Sequence, residues 1–178
     1  MPGEAARTTL TTERLILRPQ RVEDAAVFRQ LWADRDLRVP PHRRIDQEGR
    51  PTEADIVSHI REAADDERPG LMTVTSRTTG EVIGYSGLVF DSTRRLAGPE
   101  LAFELLLAMH NRGYATEAGR AVVEWAREAG HPRLWATVWD WNVASRRVLE
   151  KLGFVETGRV TKENEHGRSL LTVRDTAE

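Results

Sequence analysis

A single-domain α/β (α+β) fold is predicted by three observations. The chain has 178 residues with 39% hydrophobic content, which fits one domain around one core. Short runs rich in strand formers alternate with stretches whose apolar residues recur at helical spacing. One such run, Glu100 to Leu107, passes through a glycine turn directly into a helical stretch in which Ala118, Val122, Trp125 and Ala126 share a face.

The elements follow in order. Arg14 to Arg18 predicts a first strand, stopped by Pro19. Val22, Ala25, Ala26, Phe28, Leu31 and Trp32 make the apolar stripe of a helix, with Glu23 and Asp24 in its first turn. Pro40 to Arg44 breaks that pattern. Pro51 to Asp55 predicts a second helix start, with Ile56, His59, Ile60 and Ala63 along one side, and Asp65 to Gly70 forms a polar turn. Leu71 to Thr75 and Glu81 to Phe90 read as a hairpin around Thr78-Thr79-Gly80. Asp91 to Pro99 is an exposed loop carrying Arg94 and Arg95. The strand Glu100 to Leu107, the glycine turn after it and the helix that follows end at Gly130. Leu134 to Trp139 is another strand, Asn142 to Leu152 another helix closed by Gly153, and Phe154 to Val160 pairs with Arg168 to Val173 as a last hairpin. One domain, residues 1–178, is expected, with frayed ends at 1–10 and 175–178.

Composition narrows the function. With 26 basic against 28 acidic residues and a net charge of −2, no nucleic-acid partner is predicted. The absence of cysteine excludes disulfides, thiolate metal sites and a cysteine nucleophile. The five histidines are scattered without metal spacing, so no metal is expected. No apolar run approaches the roughly 18 residues of a membrane span, and the first residues carry no apolar signal core. A cytoplasmic protein with no membrane partner is the expectation.

Two stretches carry chemistry. His110-Asn111-Arg112-Gly113-Tyr114-Ala115-Thr116-Glu117-Ala118 joins a strand to a helix, and the first N–H groups of a helix have no partner inside it. Together with the helix dipole they suit an anion, Gly113 lets the backbone approach closely, and Ala115 keeps bulk small. Charge-assisted bonds of roughly 1.5 to 3 kcal/mol each can hold a pyrophosphate without a lysine. An ordinary turn with one glycine is the plain alternative. In the second stretch, Asp140 to Phe154, Asn142 is an N-cap and Ser145 lies one turn in, so both face the start of that helix.

Taken together these stretches resemble the GCN5-related N-acetyltransferases (GNAT) and, within them, the RimJ/RimL-like branch of ribosomal-protein N-terminal acetyltransferases. His110, Gly113 and Ala115 occupy the positions of the signature Gln or Arg, two residues, Gly, one residue, Gly or Ala. Gly113-Tyr114-Ala115-Thr116-Glu117-Ala118 is similar to the branch's usual wording. Asn142, Ser145, Lys151, Gly153 and Phe154 match its second signature, Thr12 to Arg18 its opening strand, and Glu81 to Gly84 its third strand. The resemblance extends from about Thr12 to Val173.

It implies a mixed, mostly antiparallel sheet, flanked by helices and splayed between the strand ending near Leu107 and the strand Leu134 to Trp139. Acetyl-CoA would lie in the split, leaving CoA as product. His110, Asn111, Arg112, Gly113, Tyr114, Ala115 and Thr116 would hold its pyrophosphate, Asn142, Ser145 and Arg147 would assist from the second stretch, and the acetyl carbonyl would sit by Leu105, Leu106 and Leu107. A free main-chain N–H near Leu106 would stabilise the oxyanion. Leu149 stands where many relatives carry a tyrosine that reprotonates the thiolate, so that role passes to Ser145.

The acceptor amine must be neutral to attack. A lysine of pKa ~10.4 costs roughly 4.6 kcal/mol to deprotonate at pH 7, against about 1 kcal/mol for an α-amino group near ~7.8. Glu100 and Glu104 lie four apart, on one strand face, and either can take the proton through a water, with Glu100 placed first on the resemblance. Trp139 and Trp141 share a strand face where the strand runs that far, and can then line the acceptor side. The expected reaction is direct transfer to a primary amine in a ternary complex, the acceptor being a peptide N-terminus or a small amine such as an antibiotic or polyamine. A catalytically silent acyl-CoA-binding domain is the alternative, and a homodimer is expected by analogy. Gly84-Tyr85-Ser86-Gly87-Leu88 only approaches a nucleophile elbow, lacking the last glycine and a following helix.

Overall fold

The computed structural model describes residues 8–66, 68, 70–90 and 96–177. Residues 1–7 and 178 of the expected frayed ends, Glu67 and Pro69 of the polar turn, and Arg94 and Arg95 lie outside the described residues.

The chain runs through β1 (Leu10–Thr11), β2 (Leu15–Pro19), α1 (Ala25–Ala33), α2 (Glu53–Ala64), β3 (Leu71–Ser76), β4 (Val82–Val89), β5 (Glu100–Leu105), α3 (Tyr114–Glu128), β6 (Arg133–Trp139), α4 (Val143–Lys151), β7 (Val155–Asn164) and β8 (Gly167–Asp175). The strands form one eight-stranded sheet in the order β1-β2-β3-β4-β5-β6-β8-β7. Every neighbouring pair is antiparallel except β5 with β6. The short β1 was not expected from the sequence, and Leu10 and Asp175, expected in frayed ends, lie in β1 and β8.

Strand alternation sorts side chains to two faces. Leu15 and Leu17 of β2, Leu101 and Leu105 of β5, and Leu134, Ala136 and Val138 of β6 pack against Ala118, Val122 and Ala126 of α3 and Leu149 of α4. The opposite face, on its N-terminal half, is covered by α1 and α2 through Phe28, Leu31, Ile56 and Ile60, which Tyr85 and Leu106 join. A register shift in β3–β4 pairs Val74 with Gly84 and Thr75 with Val82, leaving Ile83 as the extra residue of a bulge. Ile83 therefore drops into the α3 side of the core while Tyr85 turns to the α1 side. Gly84 is required there: at φ 153° a Cβ would lie 2.1 Å from the Glu104 carbonyl oxygen.

The predicted strand Glu100 to Leu107 ends two residues early, at Leu105. Leu107–Met109 is instead a single 3-10 turn, closed by Met109 N–H to Leu106 O at 2.8 Å and His110 N–H to Leu107 O at 3.1 Å. Leucine composition does not separate these states; the loss of a sheet partner does. The last hairpin is longer than its apolar pattern, because β7 is an edge strand exposed along its whole length and shows no alternation to read. Among the described residues no helix is long and apolar enough to cross a membrane.

One buried carboxylate ties α1 to the sheet. Asp24, 2% exposed, accepts from Arg18 at 2.8 and 2.9 Å, from Thr73 Oγ1 at 2.6 Å and from the Arg21 amide at 2.9 Å. Burial acts to raise its pKa, but the bonds from Arg18, Thr73 and Arg21 outweigh burial and hold it below the usual carboxylate range. A depressed native pKa gives stability that is present above the unfolded value of about 3.9 and lost as pH falls through the native value. Asp24→Asn should cost about 3 kcal/mol at neutral pH, because it leaves the Arg18 charge buried without its partner. Urea unfolding from pH 7 down to 3 checks both points: the wild-type midpoint should drop below about pH 4, and the variant's should drop less.

Candidate active site

Parallel strands β5 and β6 are joined at a single register pair, Glu100 with Trp135, supported by Trp135 N–H to Pro99 O at 3.0 Å. Past that pair the ladder between them ends while each keeps its outer neighbour, β4 and β8. The sheet is thus split at its centre. Leu106 N–H donates to Ile83 O at 2.9 Å across the β4 edge. It is therefore already committed, so within the Leu105 to Leu107 run expected beside the acetyl carbonyl the Leu106 amide is not the free donor. The alternation of an antiparallel ladder turns the N–H and C=O of Phe103 and Leu105 to the other edge, toward the split.

Where β5 ends, the backbone folds into a cradle. Asn111 and Gly113 take left-handed conformations, φ 59° and 79°, on either side of Arg112. Alpha helix α3 starts at Tyr114, and Glu117 N–H, bonded to Gly113 O at 3.0 Å, opens its hydrogen-bond ladder. The amides of Tyr114, Ala115 and Thr116 precede that ladder and carry the positive end of the helix dipole. His110 behaves differently from its expected place in the signature: its Nε2 donates to Leu105 O at 2.9 Å, so the ring braces the turn against the end of β5.

Residues from the first strand region complete this end. Thr12 Oγ1 and Arg14 N–H donate to Glu117 Oε1 at 2.6 and 2.8 Å, Arg14 Nε donates to Glu117 Oε2 at 2.7 Å, and Arg14 Nη1 donates to Arg112 O at 3.0 Å. A surface groove there is lined by Glu13, Arg14, Gly113, Thr116, Glu117, Arg120 and Lys151. Thr12, Arg14 and Glu117 were matched in the sequence only as wording, with no role attached.

The second stretch lies at the start of α4. Asn142 is the N-cap, its Oδ1 accepting the Ser145 N–H at 3.1 Å, and Ser145 is half-buried one turn in. Arg147 is exposed, whereas Arg146 is tied to Glu156 at 2.7 Å and to Asp140 O at 3.0 Å. Leu149 is 3% exposed within the core.

The two candidate bases sit differently. Glu100 lies at the paired end of β5, opposite Trp135. Glu104, four residues and roughly 13 Å along the strand, lies beside the open split. Both its oxygens are engaged: Arg35 Nε and Nη2 donate at 2.9 and 2.7 Å and Tyr85 O–H donates to Oε2 at 2.8 Å. Arg35 also stacks on Trp32 at 4.1 Å and donates to Arg43 O at 2.7 Å. Burial raises the Tyr85 pKa, with the Glu104 charge adding to it, so Tyr85 stays a donor. Arg35 and Tyr85 were missed by sequence reasoning. Arg35 follows α1 in an irregular segment with no motif, and Tyr85 is set opposite Glu104 by the β4–β5 register, which composition does not encode. On the other arm Trp139 and Trp141 stack with planes 10° apart and centroids at 6.4 Å, and Arg38 covers Trp141 at 4.2 Å.

Burial separates two arginines of that connection. The Arg35 side chain is 9% exposed and that of Arg38 57%. Arg35→Met should cost about 3 kcal/mol by stranding Glu104, whereas Arg38→Met should leave the unfolding temperature near that of the wild type. Thermal unfolding of both variants checks this, and equal losses would contradict the ranking.

With this geometry in place the comparisons are specific. A family model described as an acetyltransferase (GNAT) domain matches residues 14–155. The N-acetyltransferase p20 of Bacillus licheniformis is 27% identical over 156 residues, 84% of each chain. A GNAT-family acetyltransferase structure from Bacillus anthracis superposes with TM-score 0.77 at 21% identity, covering 96% of this chain and 100% of that one. The ribosomal-protein-S5-alanine acetyltransferase from Vibrio fischeri has the same fold, with TM-score 0.69 at 15% identity over 96% of this chain and 98% of that one. The chain therefore belongs to the GNAT acetyltransferase family, and it is an acetyl-CoA-dependent acetyltransferase.

Proposed function

We propose that this enzyme transfers the acetyl group of acetyl-CoA to an α-amino group, on a peptide N-terminus or a small amine, by direct attack within a ternary complex. The observation that carries the reading is the split between β5 and β6, with the Leu105 main chain turned into it and the Asn111 to Thr116 cradle at its mouth. These residues fit the cofactor: left-handed turns and leading helix amides suit a pyrophosphate, and Arg120 and Lys151 add positive charge along a groove where Arg14 is paired with Glu117. Bound acetyl-CoA supplies an acetyl group activated as a thioester.

The remaining chemistry belongs to the chain. Leu105 N–H, facing the split, takes the role of stabilising negative charge on a carbonyl oxygen, which Leu106 cannot fill. We assign the amine side to Glu104 over Glu100, because Glu104 lies by the open part of the split. Arg35 and Tyr85 hold its carboxylate in place, and its unused lone pair can orient the amine or a water that receives the proton. So firmly held a carboxylate suits an α-amino acceptor, which needs only about 1 kcal/mol of help at pH 7. Ser145 holds the proton returned to the leaving thiolate, since Leu149 has none to give.

Charge pairing supports the same acceptor. Around Trp141 and Glu104 the carboxylates of Glu104, Asp36 and Asp140 are paired with Arg35, Arg38 and Arg168. A polycation meets carboxylates already matched, and lacks a charge-assisted bond of about 1.5–3 kcal/mol, or roughly tenfold or more in kcat/KM.

Acetyl-CoA consumption with product mass spectrometry, over a panel of uncharged peptides, simple α-amines and spermidine, tests this. Amine-dependent CoA release favouring the uncharged α-amines by about tenfold is expected. Tight acyl-CoA binding without amine-dependent release would contradict the reading. Gly113→Val, forced into φ 79° and placing a Cβ 3.4 Å from Arg14 Nη2, should raise the KM for acetyl-CoA by about tenfold and leave the acceptor KM unchanged. Ser145→Ala should lower kcat with little change in CoA affinity, and wild-type turnover would remove Ser145 from the mechanism.

A further inference from the structure

We propose that Glu117, with Thr12 and Arg14, is a latch that sets the orientation of the pyrophosphate cradle, so that these are positioning residues for acetyl-CoA. The proposal rests on the cofactor reading above. Glu117 lies in the first turn of α3, where a bare carboxylate would repel the diphosphate that the helix N-terminus is placed to receive. Yet it is one of the most heavily bonded carboxylates of the chain. Oε1 accepts from Thr12 Oγ1 at 2.6 Å and from Arg14 N–H at 2.8 Å, and Oε2 accepts from Arg14 Nε at 2.7 Å, across more than a hundred residues of sequence. Its side chain is 16% exposed.

The bonds act beyond Glu117. Holding Nε fixes the Arg14 guanidinium, which lies 4.4 Å over the Tyr114 ring and donates Nη1 to Arg112 O at 3.0 Å. The peptide between Arg112 and Gly113 separates the two left-handed residues, Asn111 at φ 59° and Gly113 at φ 79°. A planar trans peptide sets its N–H antiparallel to its C=O. Fixing the Arg112 carbonyl therefore fixes the bearing of the Gly113 N–H and the rotation of the turn that leads into the Tyr114 to Thr116 amides. Thr12 is itself held, accepting the Leu15 N–H at 3.0 Å at the start of β2, so the latch is anchored to the sheet. A turn with two left-handed residues is otherwise free to rotate that peptide, and the ordering cost would fall on ligand binding.

Glu117→Gln separates the latch from electrostatics by sign. Charge alone predicts tighter CoA binding when the carboxylate is removed; the latch predicts weaker binding, because the amide cannot accept from Thr12 and Arg14 with both atoms. Calorimetric titration of the full chain with CoA should give a Kd raised about tenfold for Glu117→Gln, the loss of roughly one charge-assisted bond. At saturating acetyl-CoA its kcat and acceptor KM should stay within about twofold of wild type. Arg14→Gln should act alike, and the double variant should bind no worse than the weaker single, as for one coupled unit. Glu124→Gln, on the same helix in the exposed pair with Arg127, should leave Kd unchanged. If Glu117→Gln fails to fold, Thr12→Val serves the same test without removing charge, with a Kd raised severalfold. Unchanged or tighter CoA binding in the folded variants would overturn the latch, as would strictly additive losses or a lowered unfolding temperature with wild-type Kd. Failure of the wild-type chain to bind CoA would instead remove the cofactor reading, and the latch with it.

Discussion

The structure depends on one interruption: two neighbouring strands that share a single register pair. Beta strands normally satisfy their backbone groups across both edges, and an unpaired edge inside a sheet is costly unless something else occupies it. Here β5 and β6 meet only at Glu100 and Trp135, so the Phe103 backbone groups and the Leu105 N–H face a gap that a ligand can fill, the Leu105 carbonyl being taken by His110. Each arm survives the split because its other neighbour is fully paired, β4 along all of β5 and β8 along all of β6. Helices α3 and α4 then bridge the gap from one face, with Val122 and Leu149 in the core that both arms share.

What surrounds the split is held by carboxylates matched with arginines. Asp24 with Arg18 sets α1 on the sheet, Glu104 with Arg35 fixes the segment after α1 beside the split, and Glu117 with Arg14 fixes the turn before α3. Each pair is at least partly buried, so each has a high cost of breaking and a modest net gain of forming. Their common effect is geometric. They bring segments distant in sequence to fixed places around a backbone site whose own side chains are mostly small or apolar.

Much of this was legible in the sequence because backbone chemistry leaves simple marks. Gly113 and the helical stripe of Ala118 and Val122 marked the cradle, and Asn142 with Ser145 marked the start of α4, where the N-cap bond is found. The mostly antiparallel character of the sheet and its central split came with the family resemblance, and periodicity alone would not have given them. Side-chain partnerships were hidden. Nothing in the wording of Thr12 to Arg14 says that it meets Glu117, and the partners of Glu104 could not be named because Arg35 carries no motif and Tyr85 faces it only through the β4–β5 register. Which amide of the Leu105 to Leu107 run faces the split was hidden for a similar reason: strand register decides which edge an N–H faces, and composition does not encode register.

Backbone amide hydrogen exchange with and without CoA, resolved to single residues, tests whether the cofactor occupies the split between β5 and β6. Occupation of the split predicts new protection at Leu105 and at Gly113 to Thr116, with little change at Leu106, whose amide is already bonded to Ile83. Protection that spares Leu105 and the cradle, and falls elsewhere on the molecule, would contradict it.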